Sequence, residues 1–326
     1  MRPRLLVPLL IPALLLPAAC GGGAGDGVSA EQSAVPSASA SSAPPQKTDP
    51  NAKLPTLSTG KEFGAEPTLA TEGDPPPDIR FSVLSEGDGP EVKAGDLLVA
   101  DYKLQAWGSP DAADGTFGDG PLLRTIGKGE ISPGWDAKIP GVKVGSRVLL
   151  VEPGSAGTQM AGRTLVFVID VLGALDAKAP ADGSAVTPEK SATALPEVSG
   201  GADPTITIPK GDPPTELVAQ LLLKGKGKDL GDGQLAVVHY TGVLWKDGKQ
   251  FDSSWDREGG PSPFSFQIGK PGIIAAWNEG LKGKAIGSRV LLVVPPDKGY
   301  GKEGQPSAGI GPTDTMVFVV DLLAAY

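Results

Sequence analysis

Stretches without any hydrophobic period alternate along this chain with stretches in which apolar residues run almost unbroken. "QLAVVHYTGVLW" (234–245), "PFSFQIG" (263–269), "GSRVLLVVPP" (287–296) and "TMVFVVDLLAAY" (315–326) are β-branched and aromatic runs bounded by Gly, Pro and Asp, the pattern of strands. "KDGK" at 246–249 marks a turn between strands. One segment has a different period. In "PGIIAAWNEGLKG", Pro271 to Gly283, the residues Ile273, Ile274, Trp277 and Leu281 recur at helical spacing, and Pro271 suits a first helical turn. A single short helix among antiparallel strands predicts an α+β unit.

The pattern occurs twice. "GSRVLLV" stands at 145–151 and at 287–293, "TLVFVIDVLGAL" (164–175) matches "TMVFVVDLLAAY", and "VKAGDLLVADYKLQAW" (92–107) matches "KDLGDGQLAVVHYTGVLW" (228–245). Trp135 and Trp277 are 142 residues apart and the last strands 151 apart, so the second copy carries nine extra residues between its last two strands. This spacing is a domain duplication and is far above the period of a solenoid.

Segments such as "SAVPSASASSAPPQ" (33–46) and the Pro- and Ala-rich stretch after 176 bury too little apolar surface to offset the entropy of ordering. The expected layout is a signal segment over 1–19, a flexible tether over 20–78, a first domain over 79–175, a linker over 176–210 and a second domain over 211–326. The signal is read from Arg2 and Arg4 followed by "LLVPLLIPALLLPAA" (5–19), which is too short to span a bilayer comfortably. Cys20, the single cysteine, follows directly. "PAAC" resembles a bacterial lipobox, with Pro17 at the place usually held by Leu. It implies lipidation of Cys20 and an exported protein held on the extracytoplasmic face of the cell membrane by its lipid alone.

The net charge of −9 lies entirely outside Lys210–Tyr326, where 13 basic and 13 acidic residues balance. No basic patch for nucleic acid is present, and one His with one Cys supplies little for a metal.

"VVHYTGVLWKDGKQFDSSWDR", "PFSFQIGKPGIIAAWNEGLKGKAIGSR", "PPDKGYG" and "TMVFVVDLL", in this order over Pro214–Tyr326, closely resemble the FKBP family of peptidyl-prolyl cis/trans isomerases. The resemblance implies an α+β fold for each copy, a twisted antiparallel sheet wrapped over one short helix, with the pocket between them. It implies Trp277 as the indole floor under a substrate proline ring, with Tyr240, Phe264 and Phe318 as walls. Phe251 would stand at the rim, Ile310 on the long loop, and Ile273 and Ile274 at the helix start, the Ile274 N–H donating to a ligand carbonyl. Tyr300 would donate its hydroxyl to the amide carbonyl, and Asp252, paired with Arg257 and Tyr240, would supply the polar edge. Gly272 departs from a commonly acidic position and Gln305 from a His found in some members. The implied partners are partly folded exported proteins with X–Pro bonds and macrocyclic inhibitors of the rapamycin type. No cofactor or metal is implied.

The residues also admit a plainer reading, in which the aromatic set is ordinary core. His239 alternates with Tyr240 along its strand, so it faces away from any pocket that Tyr240 lines. In the first copy, Tyr102 and Trp135 match the pocket Tyr and Trp and Phe117 is aligned with Phe251. Gly118 then replaces Asp252, Leu122 replaces Phe264 and Ser132 replaces Ile274. The loop that should carry the tyrosine is missing, so catalysis is expected in the second copy only. A non-catalytic holdase or scaffold that binds proline-containing segments is the alternative.

Overall fold

The computed structural model describes residues 46–154, 162–187 and 194–326. Cys20 and the expected signal segment over 1–19 lie outside the described residues. The first half holds β1 (Thr56–Thr59), β2 (Thr68–Ala70), β3 (Arg80–Ser85), β4 (Asp96–Ala106), β5 (Ala112–Gly115), β6 (Leu122–Thr125), α1 (Pro133–Lys138), β7 (Arg147–Pro153) and β8 (Thr164–Asp176). The second holds β9 (Ser184–Ala185), β10 (Glu197–Ser199), β11 (Thr205–Thr207), β12 (Val218–Lys224), β13 (Leu235–Leu244), β14 (Gln250–Ser253), β15 (Phe264–Gln267), α2 (Ala275–Leu281), β16 (Arg289–Val294) and β17 (Met316–Ala325).

Two antiparallel sheets share one topology. The first runs β3-β7-β8-β4-β5 with β6 also on β4; the second runs β12-β16-β17-β13-β14 with β15 also on β13, and β9 extends its β12 edge. The inner face of the second sheet buries Val238, Tyr240, Val290, Leu292, Phe318 and Val320 in one cluster with Trp277 and Leu281 of α2. The first sheet does the same with Trp135 and Ile139.

α2 is shorter than the sequence period suggests. Ile274 is its N-cap in extended backbone (φ −62°, ψ 147°), so Pro271, Ile273 and Ile274 precede the helix. The cause is Gly272 at φ +112°, a conformation open to glycine that breaks the helical run before it begins.

The tether and linker expectations need correction. Within 46–78, β1 and β2 form a hairpin whose Leu57 and Leu69 pack on Trp107, Leu149, Val151 and Val166. Within 176–210, β10 and β11 do the same, with Val198 and Ile206 against Trp245, Leu291, Val293 and Val317. Each sheet is therefore covered on its outer face by the strap that precedes it. That double cover explains why β7 and β16 read as unbroken apolar runs rather than alternating ones: β16 is buried at every position.

A buried ion pair pins each strap. Arg289 Nε and an Nη donate to the two Asp321 oxygens at 2.6 and 2.8 Å, and the same Nη donates to Gly201 O of the strap at 2.7 Å. Ala181 N donates to Asp321 at 3.0 Å. In the first half, Arg147 pairs with Asp170 at 2.6 Å and donates to Gly60 O and Ala65 O, while Gly64 N donates to Asp170 at 2.7 Å. The indoles repeat the match: Trp107 Nε1 donates to Gly73 O at 2.9 Å and Trp245 Nε1 to Gly211 O at 3.1 Å. "GAEPT" (64–68) and "GADPT" (201–205), with "GDPP" at 73–76 and 211–214, show that the duplication includes the straps.

Candidate active site

The site forms where β13, β14, β15, β17, the start of α2 and the long loop before β17 converge. Successive strand residues point to opposite faces, so Tyr240 and Phe264 enter the same side of the sheet. Trp277 stands below them, only 3% exposed. Its ring meets Tyr240 edge-on at 5.2 Å and 77°, Phe318 at 5.4 Å and 89°, and Phe264 at 6.0 Å and 82°. Phe251 stands edge-on to Phe318 at 5.4 Å. Phe266 touches Trp277 from the core side at 5.3 Å and supports the floor without lining the cavity.

The cavity is about 520 Å³. Tyr240, Phe251, Asp252, Phe264, Ile273, Ile274, Trp277, Tyr300 and Phe318 all line it. Ile310 does not. Paired bonds between Gln305 and Ile310 turn its side chain inward, where it is 3% exposed in the core beside Met316. A larger cavity, about 820 Å³, lies beneath the second strap and contains none of these residues.

The polar edge is a closed triangle. Tyr240 donates its hydroxyl to Asp252, Arg257 pairs with Asp252 at 2.8 Å, and Arg257 also donates to the Tyr240 oxygen at 2.7 Å. Burial, followed by the bond and charge of Asp252, pushes the Tyr240 hydroxyl well above the usual tyrosine value. Tyr300, half exposed on the loop, is also pushed up, first by burial and then by Asp252. Both phenols thus stay protonated donors at neutral pH. No described backbone bond uses the Ile274 N–H, as expected for a helix N-cap whose donors are not spent within the helix. The geometry offers an aromatic floor, a hydroxyl and a backbone N–H at its margin, and a fixed carboxylate at one edge.

His239 is fully buried on the opposite face. It stacks on Trp255 at 3.7 Å, and its ring nitrogens bond Ser254 Oγ and Ala177 O, both at 2.8 Å. Burial lowers its pKa, against the pull of the Ala177 carbonyl, Asp321 and Asp176. It ties the second sheet to the connector, away from the cavity.

The first copy differs from its expected alignment. Leu104 pairs with Asp114 as Gly242 pairs with Asp252, a constant offset of 138 residues. Asp114, not Gly118, therefore takes the place of Asp252, and Tyr102 donates to it at 2.5 Å. Ala113 takes the place of Phe251. Phe117 corresponds to Trp255 and lies under the Arg147 guanidinium at 5.7 Å, on the outer face. The ungapped match of 99–117 to 237–255 carried this signal in the sequence. The aromatic floor persists, with Trp135 edge-on to Tyr102 at 5.9 Å and to Phe167 at 5.7 Å.

Comparison with known proteins identifies a family for this chain. The family model of FKBP-type peptidyl-prolyl cis-trans isomerases matches residues 89–172 and 226–323. An FK506-binding protein of Streptomyces anulatus is 36% identical over 121 residues, 37% of this chain and 95% of that protein. The FKBP-type peptidyl-prolyl cis-trans isomerase FkpA of Escherichia coli K12 is 45% identical over 109 residues, 33% of this chain and 37% of that protein. The crystal structure of FkpA from Escherichia coli matches 34% of this chain and 48% of that one at 45% identity, with a TM-score of 0.30. With two matched segments that together exceed half its length, the chain belongs to the FKBP-type peptidyl-prolyl cis-trans isomerase family.

Proposed function

We propose that this protein catalyses X–Pro isomerisation in the pocket over Trp277, and that it serves the folding of exported proteins at the cell surface. The observation that carries the reading is the convergence of Tyr240, Phe318 and Trp277 on one cavity that also holds Tyr300 and Asp252.

No nucleophile is needed. The planar amide is resonance-stabilised and polar, and crossing between isomers costs about 18–20 kcal/mol. The twisted transition state has lost that resonance and much of its charge separation. An aromatic site that sheds water favours it over the planar ground state. Donors placed for the twisted geometry, the Tyr300 hydroxyl and the Ile274 N–H, add binding that only the transition state realises fully. The Asp252–Arg257–Tyr240 triangle fixes the wall against which the substrate rests. A barrier lowered by about 5 kcal/mol gives several thousand-fold acceleration. In this account the sheet curves over α2 and the prolyl ring enters between them.

The first domain, lacking the Tyr300 loop and the Phe251 ring, has no turnover in this reading. Cys20 carries the lipid, the signal segment over 1–19 directs export, and the two domains stand on the extracytoplasmic face. Stable anchoring needs two or more acyl chains.

Line-shape or exchange NMR on an X–Pro tetrapeptide tests the activity without a coupling protease. The chain should accelerate exchange, and a rapamycin-type macrocycle should abolish the acceleration while quenching Trp277. Binding of the peptide without faster exchange would instead support the holdase reading. For localisation, Cys20→Ala should move the mature protein from the membrane to the soluble fraction. An unmodified Cys20 in the intact mass of the membrane form would contradict the anchor.

A further inference from the structure

The first domain keeps a cavity at the place of the second domain's pocket, about 340 Å³, with a different chemical character. Its floor is the aromatic trio of Tyr102, Trp135 and Phe167. Its back wall is Glu152, which is 3% exposed and occupies the position of Val294 in the second copy. A second substitution between the copies accommodates it: Gly134 stands where the second copy has Ala276. A Cβ at Gly134 would lie 2.2 Å from Glu152 Oε2, so the carboxylate fits only because the side chain opposite has been removed. Gly134 N donates to Oε2 at 2.7 Å.

That is the one hydrogen bond to the Glu152 carboxylate among the described residues, and Glu152 enters none of the described ion pairs. One more polar atom of a residue lining the cavity, Ser132 Oγ, which can accept as well as donate, is buried without a partner among the described residues. With a single donor among the described residues, a carboxylate so buried is stabilised when a cation comes to it. At the mouth, Asp114 and Glu130 add negative charge, and Arg124, exposed and bonded to Leu123 O, is the one cation among the described residues that line the cavity.

We propose that this cavity binds the ammonium or guanidinium side chain of a lysine or arginine in an extended polypeptide. The aromatic faces attract a cation through their quadrupoles, the alkyl stem covers the floor, and the head meets Glu152. A prolyl ring has no group to offer that carboxylate. The duplicated domain is thus a charge-selective grip for basic segments of the polypeptide whose X–Pro bonds the second domain turns over. Its role toward that client rests on the isomerase reading; its charge preference does not, and the test reads binding alone.

The test is fluorescence polarisation with the full chain and a fluorescein-labelled, proline-free pentapeptide with a central lysine. Its norleucine counterpart has the same stem without the charge. The lysine peptide should bind more tightly by about tenfold or more, and added salt should weaken it. Glu152→Gln, which preserves the shape and the bond from Gly134 N, should remove that preference. Phe264→Ala, on the exposed wall of the second pocket, should leave lysine binding unchanged. If Glu152→Gln melts early, Glu152→Val installs the residue of the second copy and should favour norleucine. Equal affinity for the two peptides, no lysine binding at all, or a loss that follows Phe264→Ala rather than Glu152→Gln would overturn the proposal.

Discussion

Replacing Arg289 by Met keeps a long apolar stem and removes the guanidinium. Asp321, 2% exposed, would lose both short bonds and retain Ala181 N at 3.0 Å as its donor. Gly201 O of the strap would lose its partner at 2.7 Å as well. Breaking a buried pair from one side costs about 3–5 kcal/mol, because a charge remains without compensation. Against a domain stability of about 5–15 kcal/mol, that is a large fraction. Removing both charges, as in Arg289→Met with Asp321→Leu, should recover most of the loss in the sheet, since buried pairs are often replaceable by apolar groups of similar volume. It should not recover the strap, whose backbone anchor is gone. Urea unfolding followed by tryptophan fluorescence measures the first effect, and Arg147→Met identifies the transition of the first domain by shifting it instead. Limited proteolysis around 194–210 measures the second. A single variant that loses less than about 1 kcal/mol, or a double variant no more stable than the single, would refute the reasoning that the pair pins the strap.

Tyr300→Phe keeps the ring and removes one donor, so kcat/KM should fall by about two- to tenfold, the worth of a net hydrogen bond; an unchanged rate removes the hydroxyl from the mechanism. His239→Gln should leave X–Pro turnover intact, because the imidazole faces the connector rather than the cavity. The same variant should flatten the pH dependence of stability. Burial holds the folded imidazole below its ordinary value, so below about pH 6.5 the unfolded chain binds more protons and stability is lost as pH falls toward the folded value. Urea midpoints of both proteins from pH 7.5 down to pH 5 check this, and parallel curves would contradict it.

The strands and the aromatic floor were legible because they rest on local signals. Trp277, Tyr240 and Phe318 fall where β-periodicity and one helical turn place them, and their cavity follows. The start of α2 was not legible. Period alone extends the helix to Pro271, whereas the left-handed turn at Gly272 ends that run. Ile310 was misplaced for a similar reason: a loop residue's direction is set by the Gln305 bridge, which has no periodic trace. The straps were hidden by their Gly- and Pro-rich composition, which reads as linker. Two signals could have found them. Runs such as "RVLLV" imply cover on both faces of a sheet, and "GAEPT" with "GADPT" repeats in register with the domains. Asp114 was missed through a misplaced gap, since hairpin registers align it with Asp252 without one.

The claim that isomerisation belongs to the second pocket is tested most directly by separating the halves where the straps divide them. Residues 46–175 and 176–326, each checked for folding by its melting transition, should be compared with the full chain in X–Pro exchange at equal molar concentration. The half 176–326 should match the full chain per mole, and 46–175 should leave the uncatalysed rate unchanged. A folded 46–175 that accelerates exchange, or a folded 176–326 that does not, would contradict it.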